Sequence, residues 1–431
     1  MAIKVCYIFI GEEIWAPLIR RQVLELLDHA ANNEQRLKIR VVSVYPWYWQ
    51  LTKRKQFKNF QSSNRYPFEI KFLPIWFPVS ILHIVLRLQK KLSFNPHDVI
   101  SKISLFLISL QLSLVLLKYH LLDGYSIFHC RSYPASSVIL KFKKLCPKIK
   151  LIFDPRSDYP EENVTRNLWK KDSPLFRFWK EQERKLLKYA DMTICITRNY
   201  LYHYQNTFRA FNYAIIPNNV DSFNFKYSQQ ERIRLRKKHD FDGKVVFCYL
   251  GTIGINSWHC PGVYAEVIRY YSKANFNSMF LFLVPPGSKS IIDRVFYERG
   301  INTDQYAVIS PEYFEVPEYL SAADFGLFYL KNKKIALGTK VVEYNSVGLP
   351  VLVNSNAISA ASYVSEAGTG KVIDINLGDR DVYQTFLKDM DLENICSESS
   401  RKFIAKTAQE HFDNAKVSAE YIKIYHSLNA S

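Results

Sequence analysis

Nowhere does this 431-residue chain hold about eighteen uninterrupted apolar residues, so no segment meets the simplest criterion for a membrane-spanning helix. Its greasiest run, Ile103 to Leu117, is broken by Ser104, Ser109, Gln111 and Ser113, and that pattern predicts a buried helix. The N-terminus passes directly from MAIKV into apolar alternation, without the charged region, apolar core and small-residue cleavage site of a secretory signal. A cytoplasmic protein is expected. Seven cysteines form no CxxC pair and several lie in apolar strand-like runs, which predicts reduced, buried thiols. With no HExxH motif and no clustered His/Cys pattern, no protein-built metal site is expected.

What the chain does have is length for two domains, each large enough to bury its own core. Its charge is unevenly spread. Of 58 Lys+Arg and 40 Asp+Glu, residues 1–225 hold 34 and 17, and residues 226–431 hold the other 24 and 23. A basic field confined to one half points to an anionic partner: nucleic acid, anionic lipid or a phosphate-bearing molecule. Aromatic clusters beside the basic residues, YPWYW at 45–49 and PIWFP at 74–78 followed by Arg87, Lys90 and Lys91, suit a membrane interface. Stacking on single-stranded nucleic acid would use the same ingredients, and a solvated basic face above an aromatic core is the plainest alternative.

The order of elements is more decisive. IKVCYIFI, a helix from Ile14 to Leu27 and LKIRVVSVY open a βαβ pattern. After an irregular aromatic region it resumes with YSIFHC, a helix at 135–144, KLIFD, a charged helix around 177–188, MTICIT and YAIIP. Short, continuously apolar strands separated by helices predict a parallel sheet covered on both faces. The turn IPNNVD and a polar stretch interrupt the series, which restarts at KVVFCYLG and alternates strand and helix through residue 353. Two doubly wound α/β domains are expected, residues 1–221 and 222–398. Residues 399–431 are read as one long helix packing back toward the first domain. Ligands of such folds bind outside the carboxyl ends of the strands, here expected in a cleft between the two.

The strongest local signal is ALGTKVVEYNSVGLPVLVN, residues 336–354. Gly338 permits an unusual turn, Thr339 is a good N-cap, and the helix that follows directs backbone N–H groups outward as an anion site. Lys340 adds positive charge in the first turn. Glu343 falls one turn further on the same face, where it could bind a sugar hydroxyl pair. An ordinary surface ion pair would show the same spacing. Gly348 and Pro350 end the helix.

This segment resembles the donor-site motif of glycosyltransferase family 4, a Thr-Lys-x-x-Glu-Tyr run followed by Gly-x-Pro-Val. FHCRSYPAS (128–136), IFDPRSDYPEE (152–162), ERKLLKYADMTICIT (183–197), IPNNVD (216–221), YLGTIG (249–254) and VPEYLSAADFGLFYL (316–330) are similar to family segments in the family's order. The resemblance implies a GT-B fold with its two Rossmann-like domains facing across a cleft, a nucleotide-diphosphate sugar donor held by the C-terminal domain, and transfer with retention. It implies no cofactor and no metal. Carried onto this sequence, Glu343 takes the nucleotide ribose, Thr339 and Lys340 contact the diphosphate with Gly338 in the same donor site, and Gly251 and Thr252 form the loop after the first strand of the donor domain. His129 is placed near the transferred sugar, with Arg131, Asp154 and Arg156 beside it. Two departures stand out: Ile335 occupies the position of a second family Glu, and Ser257, Trp258 and His259 replace a diphosphate-binding Arg.

Together these readings predict a glycosyltransferase working on a lipid-linked, polyprenyl-diphosphate saccharide in bacterial surface polysaccharide synthesis. It would be peripheral on the inner face of the cytoplasmic membrane and attracted to anionic lipid. The rivals are a nucleotide-sugar 2-epimerase, a metal-dependent GT-A enzyme using DMD at 389–391 or DRD at 379–381, and a basic nucleic-acid-binding protein. The last lacks any recognisable module, and nucleic acid is not an expected partner.

Overall fold

The computed structural model describes residues 2–63, 65–76, 97–255, 257–272, 277–374 and 392–430, with only the backbone described for 97–101, 392 and 393. The segments Arg87 to Lys91, 379–381 and 389–391 singled out above lie outside these residues. The chain divides into two compact units, Met1–Pro217 with Ala415–Ser431, and Asn218–Asn414.

The first unit is built on seven strands: β1 (Ile3–Ile10), β2 (Leu37–Pro46), β3 (Glu69–Ile75), β4 (Ile127–Arg131), β5 (Lys150–Asp154), β6 (Met192–Cys195) and β7 (Tyr213–Ile215). They lie in the order β3-β2-β1-β4-β5-β6-β7, every pair parallel. β4 is buried at every position, as a parallel strand with helices on both faces must be. The second unit has six strands: β8 (Val245–Leu250), β9 (Ser278–Leu283), β10 (Tyr306–Ile309), β11 (Phe325–Phe328), β12 (Val351–Val353) and β13 (Gly370–Val372). Their order is β10-β9-β8-β11-β12-β13, again all parallel. In each sheet the winding direction reverses once, between β1 and β4 and between β8 and β11. At such a switch point two loops leave adjacent strand ends in opposite directions and open a crevice.

Four features depart from the sequence reading. β3 and a helix at Arg54–Ser63 occupy the region left as irregular. Two rings of the 45–49 cluster turn inward: Tyr45 and Trp49 are buried and stack on each other, while Phe57 of the new helix packs on Tyr45 and on Phe72 of β3. The apolar area of Tyr45 and Trp49 thus goes into packing within the unit, while Trp47 and Tyr48 are half-buried.

The predicted buried helix at 103–117 is His97–Leu121, long and apolar enough by length and composition to cross a membrane. Leu105, Ile108, Leu112 and Leu116 are buried, but Phe106, Leu110, Leu114 and Leu121 on the opposite side are exposed.

The single C-terminal helix is two helices, Glu398–Phe412 and Asn414–Ala430. Asp413 leaves helical geometry where Phe412 O accepts from Val220 N and Asn414 N donates to Val220 O. The first helix belongs to the second unit, where Ala408 and Phe412 join the core and Arg401 donates to Ala323 O at 2.6 Å. The second belongs to the first unit, whose core takes Val417, Tyr421, Ile424, Tyr425 and Leu428. The units therefore meet along the chain at Pro217 and Ala415 rather than at 221 and 399.

Candidate functional site

In the second unit, the switch point and the 336–354 motif coincide. Helix Thr339–Ser346 follows β11, and Tyr344 ties it down: the Tyr344 hydroxyl accepts from Leu250 N at the end of β8 (2.8 Å) and donates to Leu327 O of β11 (3.4 Å). The turn before it is held by Asn218 of IPNNVD, whose side chain donates to Leu337 O at 2.8 Å. That turn, read as a linker, therefore positions the start of the helix.

Gly338 is the N-cap residue and Thr339 the first helical one, so the capping role expected of Thr339 falls one residue earlier. Gly338 has an ordinary extended backbone (φ −62°), and its lack of a side chain serves packing: a Cβ would run into the Phe328 ring. Gly251 does need its freedom. Its φ is +111°, and a Cβ there would lie 2.8 Å from Lys340 Cε and 3.1 Å from Nζ. Lys340 thus extends over the Gly251 backbone at the mouth of β8, its ammonium 5.5 Å from the Tyr249 ring centroid. Glu343 is buried one turn along the helix. The structure brings Gly251, Thr252, Gly338, Thr339, Lys340 and Glu343 to one end of one sheet.

Sequence reasoning passed over Lys334. This residue is almost wholly buried, and its ammonium stands 2.9 Å above the Trp258 ring. Its backbone bridges to Ala357, which fixes it before helix Ile358–Ala367. His259 is buried beside it, its Nδ1 3.2 Å from the Tyr264 hydroxyl and its ring against Phe328. Burial first, and then the charges of Lys340 and Lys334, hold the His259 imidazole far below its ordinary pKa. A neutral imidazole thus stands near two ammonium groups, those of Lys334 and Lys340. Within the run KNKK, Lys334 looks like one more solvated lysine; only its contact with Trp258, far off in sequence, distinguishes it.

The first unit carries the other predicted residues at the ends of β4 and β5. His129 and Asp154 are buried, with Nε2 3.2 Å from Oδ2, and Arg156 Nε donates to the same Oδ2 at 2.9 Å. Helix Asn414–Ala430 completes the cluster: His129 Nδ1 is 2.8 Å from the Tyr425 hydroxyl, and Arg156 donates to the Tyr421 hydroxyl at 2.7 Å. Burial lowers the His129 pKa against the pull of Asp154. Burial alone would raise that of Asp154, but Arg156 and His129 outweigh it and hold the carboxyl below its usual value. Arg156 adopts a left-handed backbone (φ +57°), a strained conformation for a side-chain-bearing residue that these two contacts fix. Both ring nitrogens of His129 are thus engaged, one with the last helix and one with the carboxylate. Arg131 stands near this cluster but hydrogen-bonds to Glu12 (3.0 Å) and Gln22 (2.8 Å) across the β1–β4 switch point.

As to metals, Glu161, Glu183 and His203 bring their ligand atoms within 4.8 Å of one another. Lys180 lies between the carboxylates, 2.8 Å from Glu161 and in contact with Glu183, so an ammonium already bridges them. The Tyr133 hydroxyl also donates to Glu183 at 2.6 Å.

No protein-family model matches the sequence, and no curated protein matches it. Solved structures do. The chain is similar to sucrose-phosphate synthase from Thermosynechococcus elongatus, with a TM-score of 0.67 at 12% identity over 99% of both chains. It is similar to Anabaena HepE in complex with UDP and glucose, with a TM-score of 0.65 at 12% identity over 99% of this chain and 100% of that one. The likeness to WaaG, a glycosyltransferase involved in lipopolysaccharide biosynthesis, has a TM-score of 0.62 at 15% identity over 98% and 99%. At these identities it is the fold that is shared, and this chain has the GT-B fold.

Proposed function

We propose that this protein is a glycosyltransferase that moves a sugar from a nucleotide-diphosphate donor to a lipid-linked saccharide, with retention of configuration. The observation that carries the donor half is the fit of Lys340 over Gly251 at the switch point of the second unit, directly before buried Glu343. In this reading the diphosphate lies at the start of helix Thr339–Ser346, where backbone N–H groups, Lys340 and Lys334 oppose its charge, and Glu343 takes the ribose. That HepE of the same fold holds UDP and glucose supports a uridine nucleotide as the first to test.

The chemistry asked of these residues is modest. As the glycosidic bond to the diphosphate breaks, negative charge grows on the leaving oxygen, and fixed cations and amide dipoles stabilise it without reorganising. The leaving oxygen assists deprotonation of the incoming hydroxyl on the same face, so no protein nucleophile, cofactor or metal is called for. Positioning supplies most of the remaining rate. The basic first half supports an acceptor carried on polyprenyl diphosphate, met at the cytoplasmic face of a bacterial membrane during surface polysaccharide synthesis.

A thermal-shift panel of nucleotide diphosphates and nucleotide sugars, with and without EDTA, tests the donor site. A ligand that binds only the folded state raises stability by about 2.7 kcal/mol at a hundredfold excess over Kd. One nucleotide should stand out, resist EDTA and lose its effect in Glu343→Ala. If none shifts wild type, the donor assignment fails.

A further inference from the structure

We propose that the outer face of helix His97–Leu121 is a docking surface for an anionic phospholipid bilayer, on which the first unit lies without spanning it. The face is defined by spacing. Ile103, Phe106, Leu110, Leu114, Leu117 and Leu121 recur every three or four residues and so line one side of the helix. All six are open to solvent, with Phe106 at 59%, Leu110 at 52%, Leu114 at 69% and Leu121 at 65% exposure. Scattered exposed leucines need no explanation, but an unbroken apolar stripe along most of a 25-residue helix does.

Charge selects the occupant. Lys102 and Lys118 are exposed and flank the stripe on its two edges, about 80° to either side of its centre at 100° per residue. Lys141, on the adjacent helix Ser132–Leu145, stands 5.7 Å from the Phe106 ring centroid. Between Lys102 and Leu122 the sequence has no acidic residue. Glu69 and Asp123 lie beside Leu114 and Lys118, but both are paired with Arg40 and Glu69 also with Lys71, so among the described residues the border of the strip is net basic. An apolar strip with such a border complements a bilayer with anionic headgroups, with the rings and leucines at the acyl boundary and the ammonium groups at the phosphates. A second copy of the same face would bring lysine edges together and suits it less well.

The opposite side of the helix argues against a transmembrane arrangement. Leu105, Ile108, Leu112 and Leu116 are buried, and the helix packs on Ser132–Leu145 and on Pro174–Tyr189. Withdrawing it into lipid would strip that packing from the unit. At mid-length, Gln111 accepts from Trp76 N at 3.0 Å and donates to Pro74 O at 2.7 Å, which pins the end of β3 and half-exposed Trp76 to this helix. Tryptophan at such a position suits the headgroup level.

The inference deepens the proposed function by naming the surface that meets the acceptor's membrane, and in that sense rests on it. The test is co-sedimentation of the full chain with vesicles of phosphatidylcholine alone or mixed with phosphatidylglycerol, at low and high salt. Variants Leu110→Glu/Leu114→Glu and Lys102→Glu/Lys118→Glu are compared with wild type. All four positions are exposed, and each variant's thermal unfolding with and without nucleotide serves as the control for folding and donor binding. We expect wild type to pellet with the anionic vesicles at low salt, and each variant to partition about tenfold less or weaker while keeping its nucleotide response. The proposal is overturned if wild type stays in the supernatant, if the variants pellet like wild type, or if wild type sediments as a dimer that the leucine variant dissolves. Face-dependent binding without any nucleotide response would keep the surface and remove the donor reading.

Discussion

A methyl group on Gly251 would stand 2.8 Å from Cε of Lys340. The end of one strand and the first turn of a distant helix are thus shaped to each other, and the position of one cation depends on the absence of one side chain.

Gly251→Ala should therefore fail twice, through its positive φ and through the collision with Lys340. We expect a loss of about 1–3 kcal/mol in urea denaturation. In the double variant with Lys340→Ala the collision is gone and the backbone strain remains. The double variant should lose less than the sum of the two single changes by about 0.5 kcal/mol or more. Strict additivity would mean that the contact carries no energy.

For Gly338 the expectation differs, because its backbone is unstrained and the cost lies wholly in the Phe328 ring. Gly338→Ala should cost about 1–3 kcal/mol by overpacking, and Phe328→Leu in the same chain should return part of it. Equilibrium unfolding of the two variants decides the matter.

If Lys340 stabilises the departing diphosphate, Lys340→Met should lower kcat by about 10² to 10³ with a smaller change in KM. Lys334→Met should act in the same direction. Steady-state rates with a donor identified by thermal shift provide the check, and an unchanged kcat in both would remove the lysines from the chemistry.

The buried cluster of the first unit should respond steeply to removal of its charge. Asp154→Asn leaves Arg156 buried without its carboxylate and is expected to cost about 3–5 kcal/mol. Tyr421→Phe removes one hydrogen bond to the same guanidinium and should cost about 1–3 kcal/mol. The ranking can be read from denaturant midpoints, since both side chains are nearly isosteric replacements.

Two buried histidines set a pH dependence. Burial holds the pKa of both His129 and His259 below the ordinary 6.5. Above about pH 6.5 they are neutral folded and unfolded alike and contribute no slope; below it, the unfolded chain takes up protons that the folded chain refuses. Stability should fall as pH drops from about 6.5, by up to about 1.4 kcal/mol per pH unit for each histidine. His259→Gln should remove its share of that slope, measured by denaturation at several pH values.

Much of this architecture was legible in the residues, for a definite reason. Strands buried on both faces must be short and continuously apolar, so IKVCYIFI, YSIFHC, KLIFD and KVVFCYLG announce themselves, and helices between them leave little choice but parallel pairing. The helix Thr339–Ser346 and its stop at Gly348 are equally local, because caps and turns act over a few residues. β3 was hidden because half of its residues face partly outward and it carries Pro74 near its end, which blurs the period.

What a side chain touches at long range left no such trace. Nothing local distinguishes Lys334 over Trp258 from its solvated neighbours in KNKK, or the inward rings of Tyr45 and Trp49 from rings that meet a membrane. The helix His97–Leu121 is apolar on nearly every side, so its period could not say which side the rest of the unit would cover. Composition and period thus determined the two parallel-sheet units and the helix that bears Lys340 and Glu343. Only the tertiary structure decided that Gly251 makes room for Lys340, that His129 and Arg156 hold the last helix by its tyrosines, and that one long apolar helix keeps half its surface bare. Each of these depends on which distant residues fill the neighbouring space, and a sequence fixes that only by folding.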